Sequence, residues 1–176
     1  MAAASNGTDL RSPSRAANTI HGSQASVSRL LSTPTVTSTG PADLESEYGG
    51  VFFYGIHAVE LMNAVWGYGC ERVSATAHAG NAVAVCKFAD GALVTLNLLG
   101  NAAYTFHLAA FGKDGSKDHT VDAGTCYYDG RQVFMDVLRT GRWPFTRDQL
   151  LEPVKILCAI ERSIKENGRE VGLDEV

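Results

Sequence analysis

Between residues 72 and 111 the chain repeats one pattern, short runs of alternating side-chain character separated by tight-turn residues. Arg72 to Ala79 carries Val73, Ala75 and Ala77 at alternate positions. Ala82 to Phe88 sets Ala82, Ala84, Cys86 and Phe88 against Val83, Val85 and Lys87. Asp90-Gly91 follows, a strong two-residue hairpin signal, and leads into Ala92 to Leu99, rich in Leu, Val and Thr. Asn101 marks a further turn, and Tyr104 to Phe111 alternates aromatic and apolar residues. Lys113-Asp114-Gly115 turns again, before a short strand at His119 to Asp122. A period of two puts every second side chain on one face of a pleated strand and cannot form a helical stripe. Four or five antiparallel strands joined by tight turns therefore make a meander sheet.

Helical periods flank this sheet. Gly49-Gly50 precede a segment in which Ile56, Val59, Leu61, Met62 and Val65 fall on one stripe, predicting a helix to about Trp66. Gly67 and Gly69 end it, being tolerant of positive φ. After the sheet, Gly130 to Arg139 places Val133, Phe134, Val137 and Leu138 on one face. Trp143-Pro144-Phe145 is expected to anchor the next connection by apolar burial. Thr146 with Gln149 three positions on matches a capping box for a last helix, whose expected apolar stripe is Leu150, Val154, Leu157, Cys158 and Ile164. Gly168 is its stop, and Arg169-Glu170-Val171 can return as an edge strand. The expected fold is α+β: a mostly antiparallel, open-faced sheet with helices packed on one face.

Composition shifts near residue 40. Before it Ser, Thr and Ala dominate, Asp9 is the lone acid, and no period holds, so residues 1–40 read as a disordered or low-complexity segment. Residues 27–37 carry enough Val, Leu and Thr for a first strand, and 41–176 form the α+β domain. A transit peptide is the weaker reading of the segment. The net charge of −4 and the absence of any Lys/Arg run exclude a phosphate-backbone partner, so no nucleic acid is expected. No apolar stretch reaches the roughly 18–20 residues of a membrane helix. Cys70, Cys86, Cys126 and Cys158 show no C-x-x-C pair, and reduced thiols serving as small hydrophobes fit a reducing, cytoplasmic location.

Three motifs stand in order along this plan. Gly49-Gly50 leads into Gly55-Ile56-His57-Ala58-Val59-Glu60-Leu61, the hairpin reads Phe88-Ala89-Asp90-Gly91-Ala92, and the close runs from Arg147 through Pro153, Ala159 and Ser163 to Gly168-Arg169-Glu170-Val171. Together they resemble the C-terminal, substrate-binding and dimerisation domain of the glucose–fructose oxidoreductase / inositol dehydrogenase (Gfo/Idh/MocA) family, across about residues 41–172. The resemblance implies a pocket floor for a sugar, inositol or related polyol, and a sheet used for homo-oligomer pairing. It implies NAD or NADP as cofactor, held by a separate Rossmann domain with an E-K-P lysine. Neither G-x-G-x-x-G after a strand nor E-K-P occurs in this sequence, so no Rossmann domain and no cofactor-binding residue is expected in it. A separate dinucleotide-binding chain is the implied partner. Many members carry D-x-x-x-H, in which the Asp and His contact the hydroxyl being oxidised. Here the His matches His57, but Phe53 stands at the Asp position, and Glu60 stands where the helix often has Asp.

The candidate residues follow. His57 is the catalytic and substrate-binding candidate, because an imidazole can take the hydroxyl proton as hydride leaves the same carbon. A satisfied buried histidine at a helix start is the ordinary alternative. Glu60, three residues on, shares its helical face as a substrate-site or orienting carboxylate. Two such groups do not make a metal site, and no metal is expected. Tyr127 and Tyr128, beside Gly124-Thr125, lie on an expected loop near the pocket, with Tyr128 taken as substrate-binding and exposed packing as the alternative. Tyr104 and His107 are expected on opposite faces of one strand. Lys113 and Lys117 are read as solvated turn charges. The sequence thus points to the substrate-binding half of an NAD(P)-dependent oxidoreductase, inactive alone. The alternatives are a non-catalytic self-associating or ligand-binding module, or a truncated remnant.

Overall fold

The computed structural model describes residues 35–124 and 126–176. Its strands are β1 (Thr35–Pro41), β2 (Cys70–His78), β3 (Asn81–Phe88), β4 (Leu93–Leu99), β5 (His107–Gly112), β6 (Gly115–Thr120) and β7 (Val171–Gly172). Its helices are α1 (Phe52–Trp66), α2 (Cys126–Thr140) and α3 (Arg147–Lys165), and a 3-10 turn spans Leu173–Glu175. The strands form one sheet in the order β6-β5-β1-β4-β3-β2-β7.

The meander is present as β2, β3 and β4, paired antiparallel from His78↔Asn81 and from Lys87↔Leu93. The sheet as a whole is mixed, however, and this corrects the antiparallel expectation. β1 inserts between β4 and β5, parallel to β4 from Thr35↔Leu93 to Pro41↔Leu99, and antiparallel to β5. The direction follows from connectivity. α1 carries the chain across one face from β1 to β2, and such a helical crossover returns the next strand parallel to the first. The β3–β4 hairpin then fills the space between them. Residues 27–34 of the expected first strand lie outside the described residues, and β1, Thr35–Pro41, places most of an ordered strand inside the segment 1–40 that was expected to be disordered. β1 gave a weak signal because its outward positions are threonines. They suit a half-buried pleat, where Thr37 bonds Thr95 across the ladder at 2.9 Å and Asn97 donates to Thr39 at 3.0 Å.

The opposite sheet face holds the core. Val36, Val73, Ala84, Cys86, Val94, Leu96 and Leu98 are fully buried there, with Ala58, Val59 and Met62 of α1 and Ile156, Leu157 and Ile160 of α3 in the same cluster. α1 lies close on β1, and a Cβ built at Gly40 would come within 2.9 Å of Ala58 Cβ, so the crossing needs a residue without a side chain. Ser38, fully buried, donates to the Ala58 carbonyl at 2.9 Å beside it.

α3 begins as expected, with both hydrogen bonds of the Thr146–Gln149 capping box in place. Its buried stripe differs from the expected one: Pro153, Ile156, Leu157, Ile160 and Ser163 face inward, while Leu150 and Val154 are exposed. Ser163 Oγ accepts from Ala75 N–H at 2.8 Å and donates to the Arg169 carbonyl at 2.6 Å, tying helix, β2 and tail together. The tail returns as an edge strand, Val171 pairing with Val73. Arg169, Arg162, Glu166 and Glu175 clasp it from outside. Within this clasp the Glu175 carboxyl is lowered to about 2, first by Arg169 and then by the Gly172 N–H.

Two further expectations are corrected. α2 has the predicted amphipathic period, yet none of its described residues is buried, so the helices packed on the sheet are α1 and α3. Trp143 and Phe145 are exposed rather than anchoring the α2–α3 connection. In both cases the sequence marks an apolar face without specifying what covers it. Of the cysteines, Cys70 and Cys86 are buried as small hydrophobes, Cys158 is half-buried and Cys126 is exposed. No helix among the described residues is long and apolar enough to cross a membrane.

Candidate functional site

The site is assembled at the start of α1. Gly49 and Gly50 both adopt positive φ and fold back so that Gly50 N–H reaches the Ser46 carbonyl at 2.8 Å. The chain enters a first helical turn at Phe52, but Phe53 (φ −70°, ψ 115°) and Tyr54 (φ 63°, ψ −31°) break it, and regular helix resumes at Gly55. The break lies just ahead of the segment predicted as helix. A left-handed backbone at a tyrosine is uncommon, since its Cβ crowds the following carbonyl. Its effect is to leave Phe53 and Tyr54 exposed at the head of the helix.

His57 lies three residues beyond Tyr54, on the exposed side of α1, with its Nδ1 3.4 Å from Glu60 Oε2. Both side chains are more than half exposed. At that length the contact is at the weak end of hydrogen bonding, so Glu60 orients the imidazole loosely. Two ring contacts reach His57, and two more link its neighbours. Tyr54 meets it edge to face at 5.9 Å, and Phe106 does so at 6.2 Å. Tyr104 joins Tyr54 at 5.9 Å and Phe106 at 5.4 Å. Phe106 is buried and forms the floor, where its carbonyl accepts from Val121 N–H at 2.8 Å. Phe53 and Tyr48 extend the aromatic row on the other side of Tyr54.

Tyr104 therefore belongs to the loop before β5, where it turns toward α1, and not to the strand predicted from Tyr104. Its hydroxyl is held above the ordinary phenol range by partial desolvation, then by Tyr54, Tyr127 and Cys126. The expected neighbour, Tyr128, is instead on helix α2 with the Arg131 guanidinium over its ring at 5.3 Å. The structure brings His57 and Glu60 together as predicted. It adds Tyr54, Tyr104 and Phe106, which the sequence reading did not connect to His57. Tyr54 could have been found from its i−3 spacing to His57, whereas no local signal links residues 54 and 106.

No group of three or more His, Cys, Asp or Glu among the described residues is arranged to hold a metal. Nor does the Gly67-Tyr68-Gly69 segment fit a dinucleotide phosphate. It joins the end of α1 to β2, the reverse of a strand-to-helix phosphate turn, and Glu152 already accepts from Gly69 N–H and Cys70 N–H at 2.9 and 3.2 Å. Two clefts lie elsewhere, of about 520 Å³ beside Cys70, Arg147 and Lys155, and about 350 Å³ beside Val51, His78 and Glu161. Neither is lined by His57 or Glu60.

Solved structures that superpose on this chain include several dehydrogenases. A probable dehydrogenase from Thermotoga maritima superposes with a TM-score of 0.70 at 18% identity, over 92% of this chain and 63% of that one. Scyllo-inositol dehydrogenase from Lactobacillus casei, with bound NAD(H) and scyllo-inositol, gives 0.70 at 14% identity, over 88% and 61%. A myo-inositol dehydrogenase from Corynebacterium glutamicum gives 0.64 at 17%, over 88% and 61%. This chain has their fold. The matched region is the C-terminal domain of these Gfo/Idh/MocA-type enzymes, and the chain spans about three fifths of the length of each. No family model matches the sequence, and no curated protein matches it. At these identities the shared property is the dehydrogenase-type α+β domain itself, a sheet with α1 and α3 on one face.

Proposed function

We propose that this chain is the substrate-binding half of an NAD(P)-dependent oxidoreductase acting on a sugar, an inositol or a related polyol, working together with a separate dinucleotide-binding domain. The observation that carries the reading is His57, exposed at the head of α1 within a fold shared with solved dehydrogenases, one of them solved with NAD(H) and scyllo-inositol. Fold alone does not assign activity, so the chemistry rests on the side chains. His57 would accept the proton of the hydroxyl whose carbon gives up hydride, with Glu60 steadying the resulting imidazolium. Tyr128, on α2, would contribute a further contact to the same ligand. Free cysteines accord with a cytoplasmic location.

Titration of the purified chain with polyols and with NADH and NADPH tests the reading. A polyol is expected to bind and to shift the His57 ring resonances, while neither nucleotide saturates the chain. His57→Ala should weaken polyol binding at least several-fold without moving the thermal midpoint, since the side chain is exposed. Saturable nucleotide binding would overturn the division of labour, and a polyol response that survives His57→Ala would overturn the role of His57.

The open sheet face supports a second part of the proposal, pairing between two copies. Thr37, Thr39, Val85, Thr95 and Asn97 form a half-buried strip on the face away from α1 and α3, with Val83 and Leu93 exposed at its margins. A sheet face of mixed small and apolar residues suits an isologous contact. Sedimentation at tens of micromolar, a working range for weak contacts, is expected to give a dimer, and a clean monomer would remove this part.

A further inference from the structure

Two of the four thiols lie together in the core, and the function proposed above does not use them. Cys70 opens β2 directly opposite Phe88, the last residue of β3, and Cys86 stands two positions before Phe88. Alternate positions of a strand share a face, so both side chains point to the core face, where Cys70 and Cys86 belong to one buried cluster. They are diagonal neighbours across an antiparallel pair. The two thiols also share a hydrogen bond, and that bond, followed by burial, pushes the Cys86 thiol up, so Cys86 keeps its proton.

Two features set this pair apart from thiols that only fill space. The first is access. Cys86 is fully buried, but Cys70 also lines the cleft of about 520 Å³ at the start of α3. Arg147 and Lys155 line it together with Asp148, Glu152 and Asp174, and Glu152 is already occupied by the N–H groups of Gly69 and Cys70. A small uncharged oxidant can therefore reach one sulfur of the pair from solvent and not the other. The second is freedom to close. A disulfide needs Cα atoms within about 6.8 Å, and diagonal neighbours stand roughly 7–8 Å apart, so the strands must approach by about 1 Å. The register shifts between Cys70 and Arg72, and Gly67 and Gly69 just ahead of it have positive φ with open space around them. A bulge preceded by glycines can make that adjustment while the ladder from Val73 onward stays in place.

We propose that Cys70 and Cys86 form a peroxide-sensitive dithiol, with Cys70 the sulfur oxidised first and Cys86 the one that resolves it into a disulfide. Cys70 Sγ attacks one oxygen of hydrogen peroxide, the O–O bond breaks, and the departing hydroxide takes the thiol proton and leaves as water. Cys86 Sγ then attacks the sulfenic sulfur, the S–S bond forms, and the hydroxyl leaves as a second water with the Cys86 proton. The two thiols lose two electrons in all, and one peroxide is reduced to two waters. In a reducing compartment such a bridge is transient and serves sensing.

The test oxidises the folded full chain carrying Cys126→Ser with hydrogen peroxide, alkylates the remaining thiols in denaturant, and maps tryptic peptides by mass spectrometry. The peptide ending at Arg72 is expected to be joined to Val73–Lys87, two hydrogens lighter than their sum, with Cys158 alkylated. Dithiothreitol should restore all three thiols. In Cys86→Ala the bridge is lost, and dimedone should trap Cys70 as its sulfenic acid. Oxidation after unfolding in urea supplies the reference, in which bridges scatter among the three cysteines. Cys70 and Cys86 both alkylated after peroxide, or the same scatter from the folded chain, overturns the proposal. Should Cys86→Ala fail to fold, the map of the chain that keeps Cys86 decides by itself. None of these readouts depends on polyol binding, so the two proposals stand or fall separately.

Discussion

Ile160→Ala is expected to cost about 4 kcal/mol of folding stability, within the range for emptying a fully buried aliphatic site. Ile160 is 0% exposed and sits in the stripe Ile156, Leu157, Ile160 and Ser163 with which α3 closes over the sheet. The loss has two sources. The deleted methyl and methylene groups forfeit their transfer free energy, and the remaining cavity is lined by elements that cannot collapse into it. α3 is fixed at its start by the Thr146–Gln149 box, and Ser163 fixes it again near its end through Ala75 and Arg169. With both ends tied, the helix cannot slide to fill the space, which places the effect toward the upper part of the range. A domain of this size should lose about 10 °C in thermal midpoint. Ile160→Val, removing a single methylene, should cost about 1 kcal/mol. Urea unfolding of the three proteins supplies the comparison, and a cost below about 1 kcal/mol for the alanine variant would show that α3 does not close the core as described.

The second large effect has the opposite sign. Asn63 lies on α1 at 1% exposure, and neither its Nδ2 nor its Oδ1 has a hydrogen-bond partner among the described residues. An amide taken from water without replacement bonds costs about 1–3 kcal/mol. Asn63→Leu is therefore expected to raise stability by about 2 kcal/mol, provided the added carbons find room. Asn63→Ala removes the amide without adding volume and isolates that contribution from overpacking. If both variants prove less stable than the parent, the amide is bonded in solution by a water molecule or by a group of a partner. That result would make Asn63, six residues along α1 from His57, a structural link between the core and whatever covers the site.

What could be read from the sequence was local. The β3–β4 hairpin followed from alternation and Asp90-Gly91, because hairpin register is fixed by neighbours in the chain. The end of α1 at Gly67 and the start of α3 at Thr146 followed from capping chemistry that involves residues three or four apart. His57 and Glu60 were legible as a pair for the same reason, since three residues along a helix place both on one face.

The tertiary structure alone decided the rest. The direction of β1 depends on α1 crossing the sheet to reach β2, and no property of the Thr-rich segment 35–41 records which strand it will meet. The apolar face of α2 and the exposed Trp143 and Phe145 show the same limit, as a helical period reports where an apolar face lies and not what buries it. On α3 the inward stripe was misjudged at Leu150 and Val154 because apolar residues occur around more of the helix than the sheet covers. The aromatic site is the clearest case. Tyr54 and His57 come from one turn of α1, while Tyr104 and Phe106 come from a loop about fifty residues later, brought there because β5 pairs with β1 directly beneath that helix. Sequence determined which side chains were available for chemistry; strand order determined which of them met, because a sheet joins residues by hydrogen-bonded register and not by distance along the chain.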